Sequence, residues 1–242
     1  MNQMLSGLSV EKMFQFVRVD KSSFDIKNPS KEWVTETVYY PDNSEECTMV
    51  SFNKQGKVEA YWCWCLGGET PDPYIIMDYD TKGQLKSYCG FVDKLNFGGY
   101  CVVNEQANEV VYCHSYWSDN RGKEVFKFKR DQSKRIVSVT AELEEGTAYN
   151  CSLKYDAKGR LIEEKSTING VIPFFSRQLT YNQKGLVETE TMTSPNVGTV
   201  NYAYLYTYGK DGDWVKRMCY NEGKLVNRTE REYERIMGDP IY

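Results

Sequence analysis

The sequence lacks most of the features that mark catalytic, membrane-spanning or nucleic-acid-binding proteins. It has one histidine, His114, so an imidazole metal site or a Ser-His-Asp triad would depend on a single side chain. No run approaches the roughly 20 apolar residues that a membrane-spanning helix needs, and residues 1–20 do not resemble a signal peptide. The 30 Lys and Arg residues against 34 Asp and Glu residues give no positive excess to attract phosphate. We therefore expect no nucleic-acid partner, no membrane-spanning segment, no metal and no cofactor.

Cysteines are also sparse for a disulfide-framed domain, at eight in 242 residues. Cys89, Cys101 and Cys113 are spaced 12 apart, which is close to one strand plus one turn, so they could lie side by side on three adjacent strands. Such a row is compatible with small apolar packing, with a disulfide pair or with a thiolate metal site.

The sequence is rich in tyrosine, with 19 residues, and in glycine, with 18, which favours strands separated by turns. One turn phrase, Tyr155 to Leu161 (YDAKGRL), recurs along the chain. Clear copies begin at Phe52, Tyr79, Tyr155, Tyr181 and Tyr208, at spacings of 26 or 27 residues where they are consecutive. A fixed period of this length indicates a repeat architecture.

A second series of turns lies between these phrases, for example at Asn169-Gly170 and Asn221-Glu222-Gly223. Reversals about every 13 residues leave strands of about 8 residues and no room for a helical crossover. The sequence thus predicts an all-β fold: an antiparallel meander of 26-residue two-strand repeats, about fifteen strands, in one long curved or partly closed sheet. We expect a cap segment at 1–24, with a possible short helix over 9–17, and a repeat domain at 25–242.

The turn phrase uses residues suited to reversing the chain. Asp156 can accept a hydrogen bond from the backbone two residues on, and Gly159 supplies a positive φ. The residues that we assign to these structural turns are Asp80, Gly83, Asp156, Gly159, Asn182, Gly185 and Gly212. Lys134 stands at the glycine position of a worn copy, where a positive φ is strained, so we expect that hairpin to use another turn.

The phrase at Tyr155, with its relatives at Tyr79 and Tyr181, resembles the bacterial YD repeat of RHS-like proteins. The ending, from Tyr208 through Trp214 to Arg231-Glu232-Tyr233, resembles the last unit of small envelope-associated members. The resemblance covers residues 27–235. It implies antiparallel strands wound into a curved sheet or shell, a binding or encapsulating role, and a location in the cell envelope or outside the cell. The chain has neither the length for a closed cocoon nor an appended toxin domain, which argues against encapsulation.

Aromatic residues on the strands are the candidate binding residues, either as the apolar face of the sheet or as a surface for sugar rings and partner proteins. They are Trp62, Trp64, Tyr112, Tyr116, Trp117, Tyr202, Tyr204 and Tyr206. We assign no catalytic residue, because Glu144-Glu145 and Glu163-Glu164 are neighbours in sequence and not the facing carboxylates of a glycosidase. The leading hypothesis is a non-catalytic binding or scaffolding protein for a glycan or protein. The alternatives are a polysaccharide hydrolase and a purely structural or assembly component.

Overall fold

The computed structural model describes residues 26, 32–65, 74–83, 85–91, 97–104, 109–114, 123–142 and 148–234. The predicted cap at 1–24, with its possible helix, lies outside these residues.

The described chain consists of strands joined by short turns. They are β1 (Trp33–Tyr39), β2 (Glu45–Phe52), β3 (Val58–Cys65), β4 (Tyr74–Tyr79), β5 (Leu85–Phe91), β6 (Phe97–Asn104), β7 (Glu109–His114), β8 (Lys123–Arg130), β9 (Ile136–Glu142), β10 (Ala148–Tyr155), β11 (Leu161–Ile168), β12 (Ile172–Tyr181), β13 (Val187–Ser194), β14 (Gly198–Tyr208), β15 (Trp214–Asn221) and β16 (Lys224–Glu234).

Each strand pairs antiparallel with the strands before and after it, so the predicted all-β meander is confirmed. The two end strands also pair with each other, from Trp33 opposite Glu234 to Tyr39 opposite Arg228. The sheet therefore closes into a ring of sixteen strands, where the sequence left the extent of closure open. Closure satisfies the backbone groups that a long open sheet would expose at its two edges.

One face of the sheet points into the ring and is the less exposed of the two. On β10, Tyr149, Cys151 and Leu153 are buried, whereas Ser152 and Lys154 between them are exposed. A single core cluster contains residues of β1–β4 and of β8–β10, which are not neighbours in the ring. The two walls thus pack against each other, and side chains fill this part of the interior.

The turn at Tyr155 shows why its sequence recurs. Asp156 Oδ1 accepts hydrogen bonds from the backbone N–H groups of Lys158 and Arg160, both at 2.9 Å. Gly159 has a φ of +82° and donates its N–H to the Asp156 carbonyl at 3.0 Å. The turns at 80–83, 182–186 and 209–213 also place glycine at positive φ, at Gly83, Gly185 and Gly212.

The turn between β8 and β9 corrects one expectation. Lys134 has a φ of +61° and donates its N–H to the Asp131 carbonyl at 2.9 Å, as Gly159 does in its own turn. The expectation of a different turn was therefore wrong. Asp131 holds the common geometry by accepting from the N–H of Arg135 at 2.9 Å, so the lysine adopts the strained conformation.

The tyrosine and arginine of the phrase join one repeat to the next. The Tyr155 hydroxyl donates to the Ile136 carbonyl at 2.7 Å, and that of Tyr181 donates to the Leu161 carbonyl at 2.5 Å. The guanidinium of Arg160 pairs with Asp156 at 2.5 Å and lies over the Tyr181 ring at 4.4 Å. The carboxylate, guanidinium and phenol of the phrase are thus all used within the fold.

Candidate binding surface

A depression of about 510 Å³ lies on the outer face of the ring, over β13, β14 and β15. Ala203 lies between Tyr220 on one neighbouring strand and Thr189 on the other. Its side chain is small, so the floor of the depression lies lower than these two neighbours. Leu205 borders it and is 62% exposed, so a large apolar side chain lies at the surface beside the small side chain of Ala203. The depression combines an aromatic side, an apolar side and a shallow floor, which suits a ligand with apolar groups.

Paired hydroxyls and amides cover the outer face beside the depression. Thr180 and Thr189 share a hydrogen bond of 2.6 Å between their hydroxyls, and Thr193 and Thr199 share one of 3.0 Å. Thr191 donates to Asn201 Oδ1 at 2.8 Å. These side chains bond to one another across the strands, so the depression is flanked by a neutral polar surface.

The strands around the depression end at different heights. Pairing between β14 and β15 ends where Tyr202 lies opposite Asn221, although β14 itself begins at Gly198. The hairpin of Glu222 and Gly223 turns the chain back at that level, and both residues line the depression. The hairpin between β13 and β14 therefore extends past its neighbour and leaves a step at this end of the ring.

Exposed apolar side chains gather on three hairpins at the same end. Val171 is 78% exposed and Ile172 is 54% exposed after β11, Val197 is 71% exposed after β13, and Leu225 is 43% exposed after β15. Since these hairpins follow one another around the ring, the apolar groups mark one sector of its end.

The inner face of the same sector carries a line of polar residues that crosses successive strands. Arg177 of β12 contacts Glu164 of β11 at 3.2 Å and Glu190 of β13 at 3.6 Å. The Tyr204 hydroxyl of β14 donates to the other oxygen of Glu190 at 2.5 Å. Farther along, Arg217 donates to Thr229 at 3.1 Å. Each buried carboxylate in this line thus has a charged or hydroxyl partner, as burial requires.

Burial also perturbs the ionisable groups along this line. Burial first, and then the nearby Glu164 charge, raise the pKa of the Cys151 thiol to about 12. Burial and the hydrogen bond to Glu190 raise the pKa of Tyr204 above its ordinary value. Both groups are therefore neutral at physiological pH, and neither is a reactive nucleophile.

The aromatic residues singled out in the sequence have different positions. Tyr202, Tyr204 and Tyr206 lie on β14, alternate with the exposed residues Ala203 and Leu205, and are partly buried. The Tyr206 hydroxyl donates to the Val187 carbonyl at 2.9 Å. Trp62 and Trp64 lie on β3 and Tyr112 lies on β7, whereas Tyr116 and Trp117 lie outside the described residues. The structure thus brings together the three tyrosines of β14.

The three evenly spaced cysteines do fall on adjacent strands, β5, β6 and β7. Their register is offset by one residue, because Cys89 lies opposite Tyr100 and Cys101 lies opposite Tyr112. The expected side-by-side row is therefore wrong. Opposed residues on these strand pairs are an odd number of positions apart, so the even spacing of 12 places successive cysteines on opposite faces of the sheet. Where the structure describes cysteine side chains, Cys47, Cys151 and Cys219 are free thiols.

Two features of this sector were missed in the sequence. Cys151, Glu164, Arg177 and Glu190 are each 13 residues apart, a spacing that predicts one line across four strands. The outer depression was not predicted, because the candidate binding residues on β14 were its tyrosines and not the residues that alternate with them. Leu205 is the signal, since it is a large apolar residue on the alternation otherwise occupied by Asn201, Ala203 and Thr207.

Among the described residues, no group of His, Cys, Asp or Glu side chains is arranged to hold a metal ion. Within the same ranges, no helix is long and apolar enough to span a bilayer.

Comparison with known proteins gives a likeness of fold. No family model matches the chain, and no curated protein matches it. A solved porin-like protein from Bacteroides uniformis matches with a TM-score of 0.57 and 9% sequence identity, covering 84% of this chain and 98% of that one. A porin-like protein from Bacteroides vulgatus matches with a TM-score of 0.49 and 10% identity, over 83% of this chain and 98% of that one. A TcdB2-TccC3 structure has a TM-score of 0.34 and 9% identity, over 82% of this chain and 14% of that one. At such low identity, the likeness to the Bacteroides uniformis protein shows that the fold has a known counterpart.

Proposed function

We propose that this chain is a non-catalytic binding protein that engages a glycan or a protein through the outer face of β13–β15. The observation that carries the proposal is the depression beside Leu205, where an exposed leucine and Tyr220 border a floor formed by Ala203. A concave apolar site on a polar surface is the usual form of a binding site.

The inner face supports binding over hydrolysis. A hydrolase needs two carboxylates open to the substrate, whereas the buried carboxylates of Glu164 and Glu190 are both engaged by Arg177. The outer face is the one that a large ligand can reach. The aromatic residues of β3 and β7 named in the sequence remain proposed binding residues.

Binding to a glycan microarray and to a panel of purified envelope proteins tests the proposal. Leu205→Lys should reduce binding of the recognised partner at least tenfold, because it places a charge at the apolar depression. Thr140→Lys on β9 is the matched control, since Thr140 is an exposed outer-face residue far along the ring. The proposal fails if wild-type protein binds neither panel, or if the two variants bind equally well.

The exposed apolar hairpins favour a second candidate, an assembly component that associates through one end of the ring. Val171 and Val197, at 78% and 71% exposure, would be covered in such an assembly. Light scattering over a hundredfold concentration range should then show oligomers that Val171→Lys with Val197→Lys abolishes. A monomer throughout that range contradicts the assembly role.

We also propose that the repeat is related to the bacterial YD repeat. Support comes from the way in which Asp156, Arg160 and Tyr181 form one unit that links neighbouring repeats.

A further inference from the structure

The step beside the depression leaves part of β14 with a partner on one side alone. Residues 198–201 pair with β13, from Ser194 opposite Gly198 to Thr191 opposite Asn201. On the other side, pairing with β15 ends at Tyr202. Within the described residues, no strand continues the ladder beyond that point, so a short length of strand edge faces the depression.

The alternation of the backbone identifies which groups lie on this edge. The Gly209 N–H donates across the turn to the Asp213 carbonyl at 2.8 Å, so it points toward β15. In a regular strand, every second residue points its N–H and C=O to the same side. The register between β14 and β15 shifts at Thr207/Tyr208, but one step along β14 there matches two steps along β15, from Lys216 to Trp214, so the extra residue belongs to β15 and the alternation of β14 is unbroken. Counting back from Gly209 places the main-chain groups of Asn201 and Thr199 on the β15 side, beyond the last residue of β15.

The side chains around the edge favour a peptide over a sugar. A glycan is held chiefly by open side-chain hydroxyls and amides, but here Thr191 donates to Asn201 and Thr193 pairs with Thr199. The strand edge adds main-chain groups, which a second strand matches in spacing. The depression below the edge, with Ala203 and Tyr220, can receive a side chain from such a strand.

We infer that the edge of β14 at Thr199 and Asn201 binds an extended peptide segment of a partner protein as an added antiparallel strand. This inference rests on the proposed binding function and names its ligand class. An apolar side chain of the peptide fills the depression against Ala203 and Tyr220. The carboxylate of Glu222, the charged side chain at the end of the site beside Gly223, selects a basic residue in the peptide.

The probe is a set of seven-residue peptides selected on wild-type protein from a random phage-displayed library and then synthesised. Thr199→Pro removes the N–H at the edge, and Thr199→Ala is its matched control because both lose the hydroxyl bonded to Thr193. Thr199→Pro should weaken peptide binding at least tenfold relative to Thr199→Ala. Equal binding by two folded variants overturns the inference.

Amide hydrogen exchange of wild-type protein gives a second test, which does not depend on the folding of a variant. Saturating peptide should slow exchange of the Thr199 and Asn201 amides at least tenfold and leave Lys210, in an exposed turn, unchanged. The inference is wrong if these two amides do not slow, or if they are already protected before peptide is added.

Three further outcomes distinguish failure of the peptide inference from failure of the proposed binding function. Concentration-dependent dimers that protect the same two amides would replace the partner peptide by a second copy and overturn the inference. A glycan whose binding is lost in Leu205→Lys, with no peptide selected, leaves the binding function standing and rejects the peptide. If no ligand of any class distinguishes Leu205→Lys from Thr140→Lys, the proposed function itself fails.

Discussion

The guanidinium of Arg231 forms an ion pair with the carboxylate of Glu36, although 195 positions separate them in the sequence. The bond from Arg231 Nε to Glu36 Oε1 measures 2.6 Å. The pair links the last strand to the first, and the Arg231 side chain is 4% exposed. Arg231 also lies 3.5 Å above the Trp214 ring and donates to the Tyr233 hydroxyl at 3.5 Å. The junction of the ring is therefore a buried polar contact.

Removing one partner of this pair should destabilise the protein strongly. Glu36→Ala leaves the Arg231 charge buried, so we expect the free energy of unfolding to fall by about 3 kcal/mol in urea titrations. The control is Asp78→Ala, which breaks a pair with Lys86 in which both side chains are more than half exposed. That change should cost below about 1 kcal/mol. Equal losses would mean that the junction pair contributes no more than a surface pair.

Replacing Lys134 by glycine should stabilise the protein. Lys134 has a φ of +61°, which costs a residue with a Cβ about 1 kcal/mol and glycine much less. Lys134→Gly should therefore raise the melting temperature by a few degrees. Gly159→Ala, in the equivalent turn at φ +82°, should lower it. Its Cβ would meet only Arg135 Nη1 at 3.5 Å, an ordinary contact, so backbone strain alone decides the result.

The repeated turns should make stability fall in acid. The hydrogen bond from the Arg160 side chain holds the pKa of Asp156 below its usual range, and Arg135 lowers the pKa of Asp131 in the same way. The unfolded chain then binds more protons than the folded one. The stabilisation is full above the unfolded pKa of about 4 and is lost as the pH falls through the lower folded values.

Asp156→Asn tests this dependence because asparagine keeps the acceptor for the turn, as Asn182 does by accepting from Lys184 at 2.9 Å. Urea unfolding from pH 7 to pH 3 should show a shallower loss of stability for this variant than for wild type. Arg160→Leu should flatten the curve as well, since it removes the cause of the lowered pKa. If stability falls with pH as steeply in both variants as in wild type, the ion pair between Asp156 and Arg160 does not cause the loss of stability in acid.

Arg177→Met should destabilise the protein in urea unfolding. It leaves the carboxylates of Glu164 and Glu190 buried without their shared cation, so stability at pH 7 should fall by about 3 kcal/mol. Lys165→Met is the control and should change stability little, because Lys165 is 52% exposed and its partner Glu163 keeps a second cation, Lys154.

Tyr155→Phe measures the bond that joins neighbouring repeats. It leaves the Ile136 carbonyl without the phenol that donates to it at 2.7 Å, and it should cost about 1 kcal/mol in chemical unfolding. Tyr202→Phe is the control, since the Tyr202 hydroxyl has no hydrogen-bond partner within the described part of the chain, and it should be nearly neutral. A neutral result for both would show that the repeats are held by packing alone.

The sequence was sufficient to predict the meander because the turn residues repeat. Asp156 and Gly159 recur at a fixed spacing, and a reversal every 13 residues leaves only antiparallel pairing. Closure of the ring could not be predicted from the sequence, because it depends on the total twist of the sheet and on contacts such as that between Arg231 and Glu36. No local pattern connects two residues so far apart.

The candidate site was harder to predict than the fold. The alternation on β14 separates two faces but does not say which one is inside, and the tyrosines suited either face. The step at Gly198 arises from the register between β14 and β15, which a difference of a few residues in strand length determines. The turn at Lys134 could not be predicted for a related reason. The hydrogen bonds of Asp131 and Arg135 fix the shape of this turn, although a lysine disfavours the positive φ that it requires.

Pairing between β1 and β16 also sets the order of events when the chain is synthesised. The edge of β1 that Glu234 will cover emerges from the ribosome about two hundred residues before its partner, because 201 positions separate Trp33 from Glu234. At roughly 5 to 20 residues per second, that edge is uncovered for about ten seconds or longer. A nascent chain stalled before β16 would present an unpaired strand to its neighbours, so truncation near the end of the chain should promote aggregation.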